Sequence, residues 1–563
     1  MFLFCYLCIT YNIRKMDQSF LKLISNSIRK NWKYPALSNY QGETYTYGDL
    51  AEHIEKVRLT LHSANLRQGD KVALVGRNSA GWAMNFIAIM ANGYVAVPIL
   101  HEFKPTSIHH IINHSDSKAL FVSGSIWEDL DISELEQLSI VMLIDNLDVL
   151  YAKKKKLNKT HLADELFLKE HKYVLRFEDL HIHNDKPEEL AMISYTSGTS
   201  GFSKGVMIPY RALWGNIYWA TQIIPDLGPH QQVVSVLPMA HMYGLAFEIL
   251  TELATGVHIH LLTKTPSPRI ITEMFAKIHP WIIILVPLVL EKIVRKNIFP
   301  KLQSPRLRLL TKVPFVRDRV YKAIRDQLYK ALGGKAYEII IGGAAFSKDV
   351  EHFLHQIHFP YTVGYGMTEC APIIAYAPWD NFREGSVGKA VDRMQIRIAS
   401  GNPYKEVGEI QVKGINTMLG YYHNEEATRE SFTPDGWMKT GDLGVLDREG
   451  YLYIRGRSKN MILGPNGQNI YPEEIEDQIN GLPLVAESIV VSRNDKLVAL
   501  IHPDLEKIDA QHMTLTDARH NIQLSITQLN QELPAYSKLA SFQIYEDEFE
   551  KTPKRSIKRY LYK

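Results

Sequence analysis

The segment ISYTSGTSGFSKGVMI, from Ile193 to Ile208, encloses small hydroxylated residues, glycines and a single lysine between two apolar runs. The apolar runs are typical of buried strands. Glycines let the backbone approach a phosphate chain, while backbone N–H groups and hydroxyls donate hydrogen bonds to it. Lys204 adds a positive charge. The pattern predicts a phosphate-binding loop between two strands; the alternative, a flexible linker, rarely lies between strand-like runs.

The spacing within this loop differs from two common phosphate motifs. The Walker A motif requires Gly-Lys-Ser/Thr, whereas here Ser203 precedes Lys204 and Gly205 follows it. The dinucleotide-binding fingerprint needs no lysine and opens directly into a helix. Since the sequence also lacks kinase-type signatures, these observations argue against a phosphoryl-transfer enzyme.

Short apolar runs alternate with helix-like stretches along much of the chain. Examples are KVALVG, VSVLP, WIIILVP and YEIIIGG, which begin at Lys71, Val234, Trp281 and Tyr337. The alternation predicts an α/β fold, with a large N-terminal domain whose buried sheets are flanked by helices. Beyond Arg457, two strand-like pieces, a Gly-rich turn and an acidic helix indicate a small C-terminal α+β domain. We therefore predict domains at residues 16–458 and 459–563.

Composition and charge exclude some classes of function. The chain has 563 residues and a formal net charge of +3, which gives no electrostatic reason to expect nucleic-acid binding. Its 3 cysteines do not suggest a disulfide framework, which fits the reducing cytoplasm. The apolar opening, residues 1–15, is too short to span a bilayer and lacks a preceding basic region. We interpret it as an extension or a misplaced start before Met16.

Two further clusters carry residue types that suit a nucleotide. In VGYGMTECAP, which begins at Val363, Tyr365 can stack on a base, Thr368 can donate to a phosphate, and Glu369 offers an oxygen ligand for Mg²⁺. In GWMKTGDLG, the carboxylate of Asp442 can accept hydrogen bonds from both hydroxyls of a ribose. Either cluster is weak evidence alone, but their order after the phosphate-binding loop predicts a nucleotide site.

Four motifs occur along the chain in the order YTSGTSGFSKG, GYGMTE, KTGD and GRSKNMILGPNGQNIYPEEIE. In this order they resemble the adenylate-forming superfamily of acyl-CoA synthetases, peptide-synthetase adenylation domains and luciferases. The resemblance extends from about Tyr45 to the C-terminal tail. The overall size and the long basic insertion between WIIILVP and YEIIIGG are similar to those of long-chain fatty-acyl-CoA synthetases.

The resemblance implies activation of a carboxylic acid in two steps. ATP and the acid give an acyl-adenylate and pyrophosphate, and the thiol of coenzyme A then displaces AMP to give a thioester. The expected function is that of a long-chain fatty-acid–CoA ligase, which uses ATP, Mg²⁺ and coenzyme A. The apolar stretches 214–219 and 239–247 are expected to line a tunnel for the fatty chain.

The resemblance also assigns nucleotide contacts to individual residues. The β- and γ-phosphates are expected to lie against Thr196, Ser197, Gly198, Thr199, Ser200, Gly201 and Lys204. The adenine is expected to lie against Gly343, Ala344 and Ala345, and under Tyr365 with Gly366 beside it. These positions match the loop, the IIIGGAAF segment and the GYGMTE motif.

Other positions are implied to act in catalysis and in the change of conformation. Thr368 is expected at the α-phosphate, Glu369 at Mg²⁺, and Asp442 with Arg457 at the ribose. His241, in LPMAHMYG, is expected beside the substrate carboxylate, although a lone histidine is often structural. Lys459 matches the hinge about which the C-terminal domain moves. Gly467 matches the glycine that lines the approach of the thiol.

The sequence departs from the family pattern at two positions. Ser203 replaces the usual proline of the loop, which we expect to be a mild change. In the tail, EKTPKRSIKRYLYK, Ser556 stands where the family carries the lysine that reaches the carboxylate and α-phosphate. We predict that Lys558 or Lys554 replaces this lysine. The alternatives are a simply solvated basic tail and a nucleotide-binding module without catalysis.

The substrate and the surroundings of the protein leave alternatives open. An acyl carrier protein in place of coenzyme A is the alternative acceptor, and an aryl acid is an alternative substrate. An amino-acid activator is less favoured, because no aspartate for the amine stands near LPMAHMYGLAFE. The basic segment 291–335 predicts peripheral contact with an anionic membrane at its cytoplasmic face, or else a solvated surface helix. The residues do not indicate an oligomeric state.

Overall fold

The computed structural model describes residues 18–172, 174–196, 204–302, 304–463, 469–494, 496–534, 537–551 and 557–562, so the extension predicted for residues 1–15 lies outside it. The strands, in chain order, are β1 (Pro35–Asn39), β2 (Thr44–Thr46), β3 (Lys71–Val75), β4 (Val95–Ile99), β5 (Ser117–Val122), β6 (Ile140–Leu143), β7 (Val149–Ala152), β8 (Leu190–Thr196), β9 (Lys204–Pro209), β10 (Gln232–Ser235), β11 (His258–Leu261), β12 (Ile282–Leu285), β13 (Glu338–Ile341), β14 (Tyr361–Val363), β15 (Tyr365–Gly366), β16 (Ile373–Tyr376), β17 (Lys389–Ala390), β18 (Met394–Ala399), β19 (Gly408–Gly414), β20 (Gly420–Tyr421), β21 (Met438–Leu446), β22 (Leu452–Arg457), β23 (Ile462–Leu463), β24 (Asn469–Ile470), β25 (Val485–Arg493), β26 (Lys496–Pro503) and β27 (Leu539–Ile544).

The α-helices of the described residues are α1 (Phe20–Asn31), α2 (Tyr47–Ser63), α3 (Ala80–Ala91), α4 (Pro105–His114), α5 (Gly124–Trp127), α6 (Leu162–His171), α7 (Tyr210–Ile223), α8 (Met242–Gly244), α9 (Thr251–Thr255), α10 (Pro268–Ile278), α11 (Pro287–Asn297), α12 (Phe299–Leu302), α13 (Pro305–Leu310), α14 (Pro314–Ala331), α15 (Lys348–Gln356), α16 (Glu425–Glu430), α17 (Pro472–Asn480), α18 (Leu505–Ala510) and α19 (Leu515–Glu532). A π-helix, Leu245–Leu250, joins α8 to α9. Among these helices of the described ranges, none is long and apolar enough to cross a bilayer.

An eight-stranded sheet lies at the centre of the N-terminal part, in the order β20-β9-β8-β4-β3-β5-β6-β7. Strands β8, β4, β3, β5 and β6 run parallel, and β9 runs antiparallel to β8. Both faces of the sheet are covered, since Val72 and Leu74 enter one core while Ala73 and Val75 enter another. Strands that are buried on both faces are apolar throughout, which explains the continuous run KVALV.

A smaller parallel sheet, β12-β13-β14, places several predicted nucleotide residues at one edge. Gly343, Ala344 and Ala345 come shortly after β13, and Tyr365 and Gly366 come shortly after β14. Ligands of open parallel sheets bind beyond the carboxyl ends of the strands, because the loops that follow them meet there. The positions predicted for adenine therefore lie at an edge that suits a ligand.

The C-terminal part begins after β22 with a 3₁₀ turn, Ser458–Asn460. Its three-stranded sheet, β25-β26-β27, is covered on one face by α17 and α19, through apolar residues such as Ile475 and Ile522. Phe549, Ile557 and Tyr562 of the tail pack on the other face. Sheets flanked by helices, followed by this small α+β unit, confirm the predicted fold class.

Candidate active site

The two ends of the phosphate-binding loop are fixed by the central sheet. Thr196, the last residue of β8, lies opposite Lys204, the first residue of β9, in an antiparallel pair. Tyr195 lies opposite Gly205 in the same pair. The loop residues Ser197, Gly198, Thr199, Ser200 and Gly201 lie outside the described residues. The sheet therefore places Lys204 at the start of β9, beside the point where the loop begins.

Lys204 and Glu369 meet through a tyrosine that the sequence did not indicate. The Lys204 Nζ lies 4.7 Å from the centre of the Tyr421 ring, within the range of a cation–π contact. The Tyr421 hydroxyl donates a hydrogen bond to Glu369 Oε1 at 2.9 Å. Burial and the nearby Glu369 raise the pKa of Tyr421, so the phenol stays protonated and donates. The predicted phosphate and magnesium residues are thus neighbours.

The turn that carries Thr368 and Glu369 is held tightly against α7. Asn216 donates from Nδ2 to the Cys370 carbonyl and accepts from the Ile373 N–H at 2.9 Å. Gly366 lies just before this turn, where a Cβ atom would approach the Pro372 carbonyl oxygen to 2.3 Å. Only glycine fits there without a shift of the backbone, which explains the second glycine of GYG.

Glu369 fits a magnesium ion that is held mainly by phosphate. Among the described residues, no group of three or more His, Cys, Asp or Glu side chains could hold a metal ion. Mg²⁺ in nucleotide sites is commonly bound through one or two carboxylates together with phosphate oxygens and water. The carboxylate of Glu369 can supply this kind of ligand, because its side chain is only partly buried.

The predicted ribose residues form one connected cluster. The Tyr365 hydroxyl donates to Asp442 Oδ2 at 2.6 Å, and Arg457 Nε lies 3.0 Å from Asp442 Oδ1. Asp442 and Arg457 stand opposite each other on β21 and β22. Burial raises the pKa of Asp442, and the Arg457 charge and the Tyr365 hydrogen bond oppose this rise. The cluster holds a carboxylate in place before any ligand arrives.

A cavity that is partly open to solvent joins several of the nucleotide residues to an apolar wall. Gly343, Tyr365, Gly366 and Thr368 line one side, and His241 lines it too. The apolar wall includes Trp219, Ile223, Phe247, Ile284 and Ile340. A largely apolar pocket with a few polar groups is the usual form of a small-molecule site. Four residues predicted for the nucleotide, and several from the stretches predicted for the acyl chain, therefore share one space.

The π-helix holds the segment that precedes His241. Glu248 accepts hydrogen bonds from the Ser235 hydroxyl at 2.9 Å, the Val236 N–H at 3.2 Å and the Leu237 N–H at 3.0 Å. Because these N–H groups point to Glu248, β10 ends at Ser235, earlier than the run VSVLP predicts. Burial raises the pKa of Glu248 to about 8. π-Helical turns often occur at functional sites.

The remaining predicted residues lie away from this cavity or outside the described chain. Ala344 and Ala345 are exposed after β13, and Lys459 is exposed in the turn after β22. Gly467 and Lys554 lie outside the described residues. Lys558 does not line the cavity; its Nζ pairs with Glu550 at 3.1 Å.

The turn at Lys459 is bound to the first helix of the C-terminal part. Asn460 Nδ2 donates to Glu473 Oε1 at 2.6 Å, and Arg455 lies 3.4 Å from Glu474. These contacts join the end of β22 to α17 across the predicted hinge. They are made by polar side chains, which can exchange such bonds for water.

Two family profiles match the chain. The profile described as AMP-binding enzyme matches residues 24–422, and the AMP-binding enzyme C-terminal domain matches residues 459–562. The chain belongs to the AMP-binding enzyme family. This confirms the family that the four ordered motifs resemble.

Relatives of this AMP-binding enzyme include acid–CoA ligases. The long-chain-fatty-acid–CoA ligase of Escherichia coli O6:H1 is 27% identical over 503 residues, 84% of this chain and 83% of the relative. The probable 4-coumarate–CoA ligase 3 of Dictyostelium discoideum is 26% identical over 466 residues, 79% and 78% of the two chains. ATP-bound MatB from Rhodopseudomonas palustris has a TM-score of 0.75 at 22% identity, over 97% and 98% of the chains, which shows the fold.

The family and these relatives identify an adenylate-forming acid–CoA ligase of an ATP-dependent family. Two residues at the site were missed by sequence reasoning, Tyr421 and Glu248. Tyr421 follows a glycine in a strand of two residues, for which the local pattern gave no signal. Glu248 lies within an apolar helix, where an acidic residue was the available but unused signal.

Proposed function

We propose that the protein is a long-chain fatty-acid–CoA ligase, which converts the acid, ATP and coenzyme A to acyl-CoA, AMP and pyrophosphate. The observation that carries this proposal is the apolar wall of the cavity, which adjoins the residues assigned to the nucleotide. Such a wall suits a hydrocarbon chain, because burying each CH₂ group contributes about 0.8 kcal/mol. The long-chain-fatty-acid–CoA ligase among the relatives supports the same substrate class.

The proposed roles follow from the charges in the site. A carboxylate is a poor electrophile, and joining it to AMP as an anhydride makes its acyl carbon open to attack. Lys204 and Thr368 stabilise the negative charge on the phosphates, and Asp442 and Arg457 orient the ribose. Magnesium, when bound, would neutralise phosphate charge, and Glu369 would hold it. His241 lies at the cavity lining, where it can orient the substrate carboxylate.

For the missing tail lysine, we propose Lys554, with Lys558 as the second candidate. Lys558 pairs with Glu550, and Lys551 lies 2.9 Å from Glu487 and 3.2 Å from Glu548. Both lysines of the described tail therefore have partners in this conformation. Lys554→Ala should lower acid-dependent adenylation strongly, whereas Lys558→Ala should lower it little. The reverse order of the two effects would transfer the role to Lys558.

We also propose peripheral contact with an anionic membrane from the cytoplasmic side, where fatty acid is available. Helices α11 to α14 carry the basic segment, and Leu309, Val313 and Phe315 expose 69%, 52% and 67% of their surface. Apolar side chains among cations suit the boundary between headgroups and acyl chains. Charge reversal at Arg317, Arg319 and Lys322 should lower co-sedimentation with anionic vesicles. Unchanged co-sedimentation would exclude this contact.

The function is tested by product analysis with a panel of acids. Purified protein is incubated with ATP, Mg²⁺, coenzyme A and either palmitate, octanoate, acetate or 4-coumarate, and thioesters are measured by mass spectrometry. We expect palmitoyl-CoA to form fastest. An aryl acid is the second candidate, because the Trp219 ring contacts those of Phe247 and Tyr376 and could accept a planar substrate. Faster formation of coumaroyl-CoA would replace the fatty-acid assignment.

An acyl carrier protein is the alternative acceptor. The same assay is run with a phosphopantetheinylated acyl carrier protein in place of coenzyme A. Thioester on the carrier protein alone would keep adenylation and correct the acceptor. No thioester with any acid and either acceptor, from protein that binds ATP, would favour a nucleotide-binding module without catalysis.

A further inference from the structure

Lys204 and Glu369 carry opposite charges in one partly enclosed site. In the proposed function, the lysine contacts phosphate and the glutamate holds Mg²⁺. Opposite charges attract each other more strongly in such a site than in bulk water. An ion pair between them would have to break before ATP and Mg²⁺ could bind. A device that keeps the two groups apart would therefore leave both ready for the ligand.

Tyr421 stands between these two charges. The ammonium of Lys204 lies over its ring at 4.7 Å from the centre, and its hydroxyl donates to Glu369 Oε1 at 2.9 Å. The same side chain therefore satisfies a cation with its π face and an anion with its edge. Tyr421 is itself uncharged, so it makes both contacts without adding to the net charge of the site.

The backbone around Tyr421 is bonded to both partners. The Tyr422 N–H donates to the Gly205 carbonyl at 2.8 Å, next to Lys204. The Met418 N–H donates to the Glu369 carbonyl at 2.8 Å. The same short segment thus fixes the distance between the two catalytic positions.

The helix that follows also holds Tyr421 in place. The Tyr421 N–H donates to the Thr428 hydroxyl at 2.8 Å. Gly420 has a φ of 144°, and a Cβ atom there would lie 2.6 Å from Thr428 Cγ2. The close approach of α16 therefore requires glycine before the tyrosine. This explains the pair Gly-Tyr at the start of the segment GYYHNEEAT.

We propose that Tyr421 is a positioning residue, which holds Lys204 and Glu369 apart and oriented for the phosphate chain and Mg²⁺ of the incoming nucleotide. This proposal rests on the roles assigned above to Lys204 and Glu369. Tyr421 acts through these two groups and does not touch the reacting atoms. Its hydroxyl orients Glu369, and its ring positions Lys204.

Two substitutions distinguish the role of the Tyr421 hydroxyl from that of its ring. Tyr421→Phe keeps the ring under Lys204 and removes the donor to Glu369. Binding of ATP is measured by calorimetry without any acid, once with Mg²⁺ and once with EDTA. We expect Tyr421→Phe to weaken binding about 10-fold with Mg²⁺, as for loss of one hydrogen bond to a charged group, and to leave binding in EDTA unchanged. Tyr421→Leu should weaken binding in both conditions.

Tyr422→Phe is the matched control. The Tyr422 hydroxyl donates to Asp116 at 2.8 Å, so its removal should leave both affinities unchanged. Melting temperatures of all variants establish that they are folded. Wild-type affinity for ATP with Mg²⁺ in Tyr421→Phe would overturn the proposal. An equal loss in Tyr421→Phe and Tyr422→Phe would overturn it too.

A double substitution tests whether Tyr421 acts through Glu369. In the background of Glu369→Gln, Tyr421→Phe should cause no further loss of affinity with Mg²⁺, because the group that it positions is gone. The same 10-fold loss in that background would show an independent effect and contradict the proposal. These measurements contain no fatty acid, so their outcome is separate from a failure of the fatty-acid assignment, which the product analysis detects.

Discussion

The nucleotide side of the active site and the C-terminal tail hold their charged residues in different ways. Asp442 is buried and is bonded to Tyr365 and to Arg457 at once. Lys558 pairs with a single glutamate, Glu550, whose side chain is 65% exposed. Buried hydrogen bonds to charged groups fix a geometry, whereas exposed ion pairs contribute about 0–1 kcal/mol and exchange easily.

This difference fits the tasks that we propose for the two regions. The nucleotide residues act on a ligand that stays in place, so a geometry that exists before binding lowers the cost of reorganisation. In the proposed function, the tail reaches the site during adenylation and leaves it afterwards. Exposed ion pairs of the tail, such as that of Lys558 with Glu550, can break and form again during that change. The comparison therefore predicts that substitutions on the nucleotide side have large effects on activity, and that most substitutions in the tail have small ones.

The largest expected effect is that of Glu369→Gln. The change removes the carboxylate that we propose as a ligand of Mg²⁺ and should lower the rate of adenylation roughly 100- to 1,000-fold, since metal-ion stabilisation amounts to several kcal/mol. Pre-steady-state formation of acyl-adenylate is the measurement. The matched control is Glu550→Gln in the tail, which should change the rate less than about 3-fold. Similar losses in both variants would break the comparison.

Arg559 differs from Lys558 in the same tail, because its ion pair is mostly buried. Its guanidinium lies 2.6 Å from Glu476 in an ion pair that is mostly buried, and Glu476 also accepts from the Val490 N–H. Arg559→Met would leave Glu476 buried without a counter-charge and should lower stability by about 3–5 kcal/mol. The C-terminal part should then unfold earlier in denaturant.

Lys558→Met is the control for this prediction. Because its partner Glu550 is exposed, the loss should be about 0–1 kcal/mol. Hydrogen exchange of α17 distinguishes the two variants, since only Arg559→Met should accelerate it. Equal exchange in Arg559→Met and wild type would show that Arg559 does not anchor the tail.

Asp442→Asn has the smallest expected effect on the nucleotide side. The amide keeps the shape but weakens the contacts with Arg457 and the ribose, and the KM for ATP should rise about 10-fold. Burial raises the pKa of Asp442, and in the proposed function it is the ionised form that accepts hydrogen bonds from the ribose hydroxyls. As pH falls, wild-type affinity for ATP should therefore decline at a higher pH than an ordinary aspartate would cause. The asparagine variant should lack this decline.

Asp435→Asn is the control for this prediction. Asp435 pairs with Arg397 at 2.5 Å on the exposed surface, so it matches the aspartate–arginine pair of the site in type but not in burial. Its replacement should leave the KM for ATP within about 2-fold of wild type. An equal rise in both variants would show that burial does not distinguish the two pairs.

Much of the fold could be predicted from the sequence because its signals are local. The apolar runs that begin at Lys71 and Tyr337 are buried strands, and the basic stretch before Gly333 forms helix α14. The ordered motifs also indicated the family. Tyr365, Gly366 and Thr368, which were predicted from one of them, line a single cavity with His241. Each of these signals is contained within one short stretch of the chain.

The contacts that organise the site were not predictable in this way. Tyr421 bonds to Glu369 across 52 positions, and the pairing of β20 with β9 that creates this contact has no local pattern. In the sequence, Glu248 is an isolated acidic residue within an apolar helix. Its role follows only from the hydrogen bonds that it accepts from the end of β10 and the residues after it. Both residues satisfy partners that only the folded chain brings together. Their roles follow from the three-dimensional arrangement.

The most direct test of the proposed function is exchange of labelled pyrophosphate into ATP, with Mg²⁺ and without thiol, over acids from acetate to oleate. This isolates adenylation from the choice of acceptor. The proposal predicts exchange that rises with chain length, lost in Glu369→Gln and retained in Glu550→Gln. No exchange with any acid, from protein that still binds ATP, would contradict the assignment as a fatty-acid-activating ligase.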